Sequence, residues 1–156
     1  MAVNKGKKFE ECVVNSFKES FPNGTIDRIY DTEGRKYGVK NICDYIGYIY
    51  PNIFYLEAKS LKGNTFNLAR LTQYNKLCGK LGVKGVCAGV VIWFIEHQRV
   101  VFATIEKITE LIEQGKKSVN IKHPEDYTIE LPVEIKRVYP KINFQVLQNI
   151  LPSEQV

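Results

Sequence analysis

The sequence predicts a mixed α/β fold, a central mixed β-sheet flanked by helices, from three observations. Two alternating apolar runs, Asp44 to Tyr50 and Ile53 to Lys59, read as paired strands. Two amphipathic stretches, one after Asn4 and one from Ala69 to Leu81, read as helices. The continuous apolar run Val86 to Ile95, bounded by Gly85 and the turn Glu96-His97-Gln98, reads as a central strand. With 156 residues, 44% of them hydrophobic, the chain can bury one core. No Pro/Ser-rich linker or internal repeat divides it, so residues 1–156 are expected to form a single domain.

The first helix follows Asn4-Lys5-Gly6-Lys7-Lys8-Phe9-Glu10, with apolar residues at Val13, Val14, Phe17 and Phe21. Glu10 then falls on the core-facing stripe, while Glu11, Asn15 and Lys18 face water. A carboxylate there is costly unless a donor, a cation or a metal-bound water meets it; otherwise it sits at the stripe's edge, favoured by the helix dipole. Pro51-Asn52 reads as the turn of a hairpin. Beyond Phe66-Asn67-Leu68, the helix to Leu81 carries Leu71, Tyr74, Leu77, Cys78 and Leu81 on its apolar side and ends among Gly79, Gly82 and Gly85. Arg70 and Gln73 are expected to look toward the strand end that bears Lys59. Arg99 to Thr104 returns as the next strand, Thr104 caps a helix through Ile105, Ile108, Leu111 and Ile112, and Gly115 closes it. Ser118 to Ile121 suggests an edge strand, His123 to Pro140 an irregular stretch broken by prolines, and Phe144 to Leu151 a short terminal helix.

The chemistry concentrates in the hairpin. Side chains alternate along a strand, so Glu57 and Lys59 share a face that Ala58 leaves. Antiparallel pairing brings Asp44 near them. Two converging carboxylates can hold a hard divalent cation, and a lysine beside them can orient water or stabilise charge on a phosphate. That is phosphodiester-cleaving chemistry in outline. The alternative is a solvated hairpin face, whose cross-strand ion pairs are worth only a few tenths of a kcal/mol.

The net charge of +5 suits a polyanionic partner without specifying one. Its distribution is more telling, because Lys5, Lys7, Lys8, Arg28, Arg35, Lys36, Lys40, Lys62 and Arg70 all belong to segments around the candidate site. Cys12, Cys43, Cys78 and Cys87 lack paired metal-ligand spacing, and His97 and His123 stand alone, so free thiols are expected. Neither a signal peptide nor an apolar stretch of membrane-spanning length is visible, and a cytoplasmic protein with no membrane partner is expected.

In order and spacing, the Asn4-to-Glu10 opening, Asp44 with Glu57-Ala58-Lys59, Phe66-Asn67-Leu68 with Gln73, and the apolar strands from Gly85 resemble the RecU-type Holliday junction resolvases of the PD-(D/E)xK nuclease superfamily. The resemblance implies a restriction-endonuclease-like core and a Mg²⁺-dependent endonuclease, with Mn²⁺ as substitute, cutting branched DNA as a homodimer. It implies Asp44, Glu57 and the Ala58 carbonyl as metal ligands and Lys59 as the residue that positions water. Glu10 would complete the outer coordination, and Gln73 would orient a phosphate or water. Lys5, Lys7, Lys8, Arg35, Lys36, Lys40, Lys62 and Arg70 would hold DNA. Family members carry a long protruding hairpin before the catalytic aspartate, whereas here only Tyr30 to Cys43 is available. A less selective nuclease of the same superfamily, or an architectural DNA-binding protein that cuts nothing, are the rival readings.

Overall fold

The computed structural model describes residues 5–30, 41–123, 128–137 and 139–149. Helix α1, Lys5–Ser20, is amphipathic at the helical period: Phe9, Val13, Phe17 and Phe21 form its buried stripe, and Glu11, Asn15 and Lys18 are exposed. A short strand β1, Thr25–Arg28, follows, then the hairpin of β2, Tyr45–Ile49, and β3, Asn52–Leu61. Ile49 faces Asn52, so the turn residues are Tyr50 and Pro51, one position earlier than expected. Strands β4, Thr65–Asn67, and β5, Val86–Phe94, are separated by a 3₁₀ turn, Leu68–Arg70, and by helix α2, Tyr74–Cys78. Then come β6, Arg99–Thr104, and helix α3, Ile105–Glu113. Short strands β7, Ser118–Asn120, β8, Ile129–Leu131, β9, Val133–Lys136, and β10, Tyr139–Ile142, lead to a 3₁₀ segment, Phe144–Asn149.

The main sheet runs β1-β2-β3-β5-β6-β8. Its one parallel junction, β3 with β5, makes it mixed, and the other pairs are antiparallel. Helix α1 and the β9–β10 ribbon cover one face over Phe54, Leu56, Val91 and Trp93. Helices α2 and α3 and the β4–β7 ribbon cover the other over Val90, Ile92, Phe94 and Val101. The two faces explain why β5 carries no polar side chain: it is buried from Cys87 to Phe94, as a central strand must be.

Aromatic packing seats α1. The Phe17 ring meets Phe21, Phe54 and Phe144 at centroid distances of 5.0, 5.7 and 5.7 Å, and Phe9 lies 5.4 Å from Trp93. Gly47 makes this seat possible, because a Cβ there would stand 2.7 Å from the tip of the Phe17 ring. Two serines fasten the helix to the C-terminal strand: Ser16 Oγ accepts from the Ile142 N–H and Ser20 Oγ from the Phe144 N–H, both at 2.9 Å.

Several expectations need correction. The helix expected over Ala69 to Leu81 is broken into the Leu68–Arg70 turn and the five-residue α2. Asn67 Oδ1 takes the Ala69 N–H at 2.9 Å, and Leu71 leaves helical backbone with ψ 77°. Leu68, Leu71 and Leu77 are buried all the same, so the apolar spacing was real and the continuous helix was not. The stretch from His123 to Pro140 contains β8, β9 and the start of β10. Pro132 lies between two strands, and Pro140 sits in a two-stranded ribbon, where a missing N–H is tolerated. Ser118–Asn120 is a strand, as expected, but it pairs with β4 outside the main sheet. Thr104 does cap α3, accepting the Lys107 N–H at 3.2 Å, and Gly115 follows with φ 78°. All four cysteines are free. Among the described residues no helix is long and apolar enough to cross a membrane.

Candidate active site

The hairpin register places Asp44 at the mouth of the site. Tyr45 is paired with Leu56, yet the Asp44 N–H also donates to the Leu56 carbonyl at 3.1 Å. Two residues thus oppose one, the signature of a β-bulge, which turns the Asp44 side chain along β3. Its Oδ2 accepts the Ala58 N–H at 3.0 Å. In an extended strand a residue's N–H and C=O point to the same side, so the Ala58 carbonyl also faces the gap beyond the end of β2.

Glu57 and Lys59 share the sheet face of Tyr55 and Leu61, opposite Ala58. Glu57 is wholly buried, at 0% exposure, and neither of its carboxylate oxygens has a hydrogen-bond partner. Lys59 Nζ stands 3.7 Å from Glu57 Oε2, close enough for an ion pair but too far for a good hydrogen bond. Burial first, and then the neighbouring Asp44 charge, push the Glu57 carboxyl up to about 8, with Lys59 opposing them. A solvated hairpin face would show none of this.

Glu10 approaches from α1. It lies at the edge of the buried stripe rather than on it, about a quarter exposed, and its Oε2 pairs with Arg28 at 2.9 Å. Burial raises its carboxyl, Arg28 offsets part of the rise, and the Asp44 charge adds to it, so Asp44 is felt by both Glu10 and Glu57. Arg28 was one of many cations in the sequence; its role as the Glu10 partner was hidden because β1 has a single buried residue, Ile26, and hence no periodicity.

The remaining candidates scatter around this centre. Gln73 precedes α2, half-buried, with its Oε1 taking the Thr72 hydroxyl at 2.8 Å. Arg70 reaches the Ser60 carbonyl at 3.4 Å and lies over the Phe66 ring, which holds it at the exit of β3. Lys62 is exposed just beyond. Lys5 opens α1, Lys7 lines a cleft beside it, and Lys8 pairs with Glu11 at 3.2 Å on its outer side. Arg35, Lys36 and Lys40 lie outside the described residues. Among the described residues no cluster of three or more His, Cys, Asp or Glu side chains forms a ready-made metal site. The donor set nevertheless suits a hard cation: two buried Glu57 oxygens without a hydrogen bond, a neighbouring carboxylate and a backbone carbonyl, all oxygen.

Residues 23–146 match the family model described as Recombination protein U. The chain belongs to the RecU family. Asp44, Glu57, Lys59 and Gln73 lie inside the stretch that defines RecU membership, and Glu10 precedes it. No curated protein matches. Among solved structures, the chain is similar to Hjc of Archaeoglobus fulgidus, described as a Holliday junction resolvase from an archaeal hyperthermophile. The two are 14% identical with a TM-score of 0.50, over 80% of this chain and 88% of that one. At that identity the likeness speaks for the fold, a restriction-endonuclease-like core, which this RecU member shares.

Proposed function

We propose that this RecU-family protein is a Mg²⁺-dependent endonuclease that cleaves four-way DNA junctions, acting as a homodimer. The observation that carries the reading is Glu57: a fully buried carboxylate whose oxygens have no hydrogen bond and only a long ion pair to Lys59, next to Asp44. Such an arrangement costs stability unless something cationic completes it. Membership in a recombination family and the fold shared with an archaeal resolvase point the chemistry toward branched DNA.

Asp44, Glu57 and the Ala58 carbonyl would hold the cation, and Glu10 would reach it through water. When bound, the cation supplies Lewis-acid stabilisation of phosphate charge and lowers the pKa of a water. Lys59, a quarter exposed beside Glu57, orients the attacking water and balances the charge that builds on the phosphate. Asp44 does two things, since the bond from the Ala58 N–H fixes one oxygen and leaves the other to the site. Gln73 orients a phosphate or water from the α2 side. Arg70 and Lys62, beyond the end of β3, receive the backbone of the same strand. Symmetric nicking of a junction needs two sites, which a two-fold dimer provides.

A labelled four-way junction and a linear duplex of the same arms, incubated with Mg²⁺, test the reading. Paired nicks on the junction, abolished by Asp44→Asn with binding retained, are expected. Equal cutting of both substrates would make the protein a less selective nuclease; binding without any cutting would make it architectural.

A further inference from the structure

A cleft of 790 Å³ opens between α1 and the β1–β2 edge, with Glu10 in its wall and Asp44 and Glu57 outside it. Arg28 crosses it. One terminal guanidinium nitrogen holds Glu10 at 2.9 Å, and the guanidinium carbon lies 5.1 Å from the centre of the Tyr30 ring. Tyr30 itself is 73% exposed, the most exposed large apolar side chain among the described residues. Its ring therefore stacks on a cation and still offers most of its surface to a guest.

We propose that this cleft seats a single unstacked nucleotide of the branched substrate, its base on the Tyr30 ring and its phosphate on Arg28. The inference rests on the nuclease reading above and adds to it a substrate contact. A guanidinium has five N–H donors, so the bond to Glu10 leaves a fork for a phosphate. Volume suits the guest, since small-molecule sites span about 300 to 1,000 Å³. Charge distinguishes this cleft from a duplex track: Lys7 and Lys18 line it together with Glu11 and Asp27, a mixed wall that repels a continuous phosphate backbone and admits one nucleotide. Base-paired DNA offers no free base face, whereas a branch point does. By pairing with Glu10, Arg28 would also tie occupancy of the cleft to the carboxylates, which makes it a positioning residue.

The test measures binding in chelator, where nothing is cut, to a four-way junction and to a linear duplex. Base stacking on an aromatic is worth about 5- to 150-fold in affinity by alanine substitution. Tyr30→Ala is therefore expected to weaken junction binding by that factor and leave the duplex unchanged, while Tyr30→Phe, which keeps the ring, stays near wild type. Arg28→Ala is expected to lower the salt slope of junction binding by about one. A junction carrying 5-iodouracil at the branch should photocrosslink to Tyr30, and one carrying it in mid-arm should not. If the wild-type protein binds the junction but Tyr30→Ala binds equally well, or loses duplex affinity to the same degree, the cleft proposal is overturned alone. If the wild-type protein does not favour the junction over the duplex, the resolvase reading falls and this one with it.

Discussion

Replacing Glu57 with glutamine should make the metal-free protein more stable at alkaline pH, an unusual result for a change at the centre of a site. The wild-type carboxyl sits near 4.5 in the unfolded chain and is pushed up to about 8 in the fold by burial and by Asp44. A raised value means the folded state binds the proton more tightly. Its stabilising contribution is complete below about pH 4.5 and drains away as pH rises through about 8. At about 1.4 kcal/mol per pH unit, the loss is on the order of 3 to 5 kcal/mol, reduced by whatever relaxation the charged pair with Lys59 allows. Glutamine does not titrate, but its buried amide lacks partners and costs about 1 to 3 kcal/mol. Glu57→Gln should then be less stable than wild type by roughly 1 kcal/mol at pH 5 and more stable by roughly 1 to 2 kcal/mol at pH 8.5 in chelator. Urea denaturation of both proteins at several pH values measures this, and the difference between them cancels the titration of every other group. Mg²⁺ added at pH 8.5 should stabilise the wild type and not the variant. A difference that is flat with pH, or Mg²⁺ stabilising both equally, would refute the argument that Glu57 is a buried carboxyl only partly compensated by Lys59 and awaiting a cation.

Cleavage should require Mg²⁺ or Mn²⁺ and be poorly supported by Ca²⁺, whose larger and looser shell misplaces the water; full activity in excess chelator, read by gel, would sink that expectation. Gly47→Ala drives a methyl group into the buried Phe17 ring, and a loss of about 1 to 3 kcal/mol in urea denaturation is expected, with a neutral effect arguing that α1 can shift freely. Replacing Arg35, Lys36 and Lys40 together with alanine should weaken junction binding and flatten its salt dependence by up to about one for each phosphate no longer neutralised, whereas unchanged affinity and slope would leave the DNA to Lys7, Lys8 and Arg70. Burial holds the Cys43 and Cys87 thiols up at about 12 and raises that of Cys12, so a thiol reagent at pH 8 should modify the half-buried Cys78 first, Cys12 more slowly, and the other two only on unfolding.

What could be read in the sequence followed from periodicity. The α1 stripe, the β2–β3 hairpin and the apolar β5 each repeat a pattern long enough to be distinguished from chance. The positions of Asp44, Glu57 and Lys59 follow from them by alternation. Three kinds of feature carried no such signal. Strands of three or four residues, such as β1 with only Ile26 buried, are too short to show a period. Strands containing or flanking proline, β8 to β10, look like loops until an edge position excuses the missing N–H. The bulge at Asp44 depends on a register that no local pattern states, though it is what aims the carboxylate at Ala58. Glu10 fell between these cases: its place on α1 was legible, and its Arg28 partner was not.

The bonds that Ser16 and Ser20 accept from the backbone N–H groups of Ile142 and Phe144 join segments 126 and 124 residues apart. Helix α1 waits for β10, made long after it, before its buried serine finds a donor. Until then Ser16 faces an unfilled surface, and the helix that carries Glu10 has no lock on its far side. A chain interrupted before residue 139 would therefore leave α1, and Glu10 on it, without these two bonds. The ribbon that carries Ile142 would act as a latch on the helix that carries Glu10, closed long after that helix has been made.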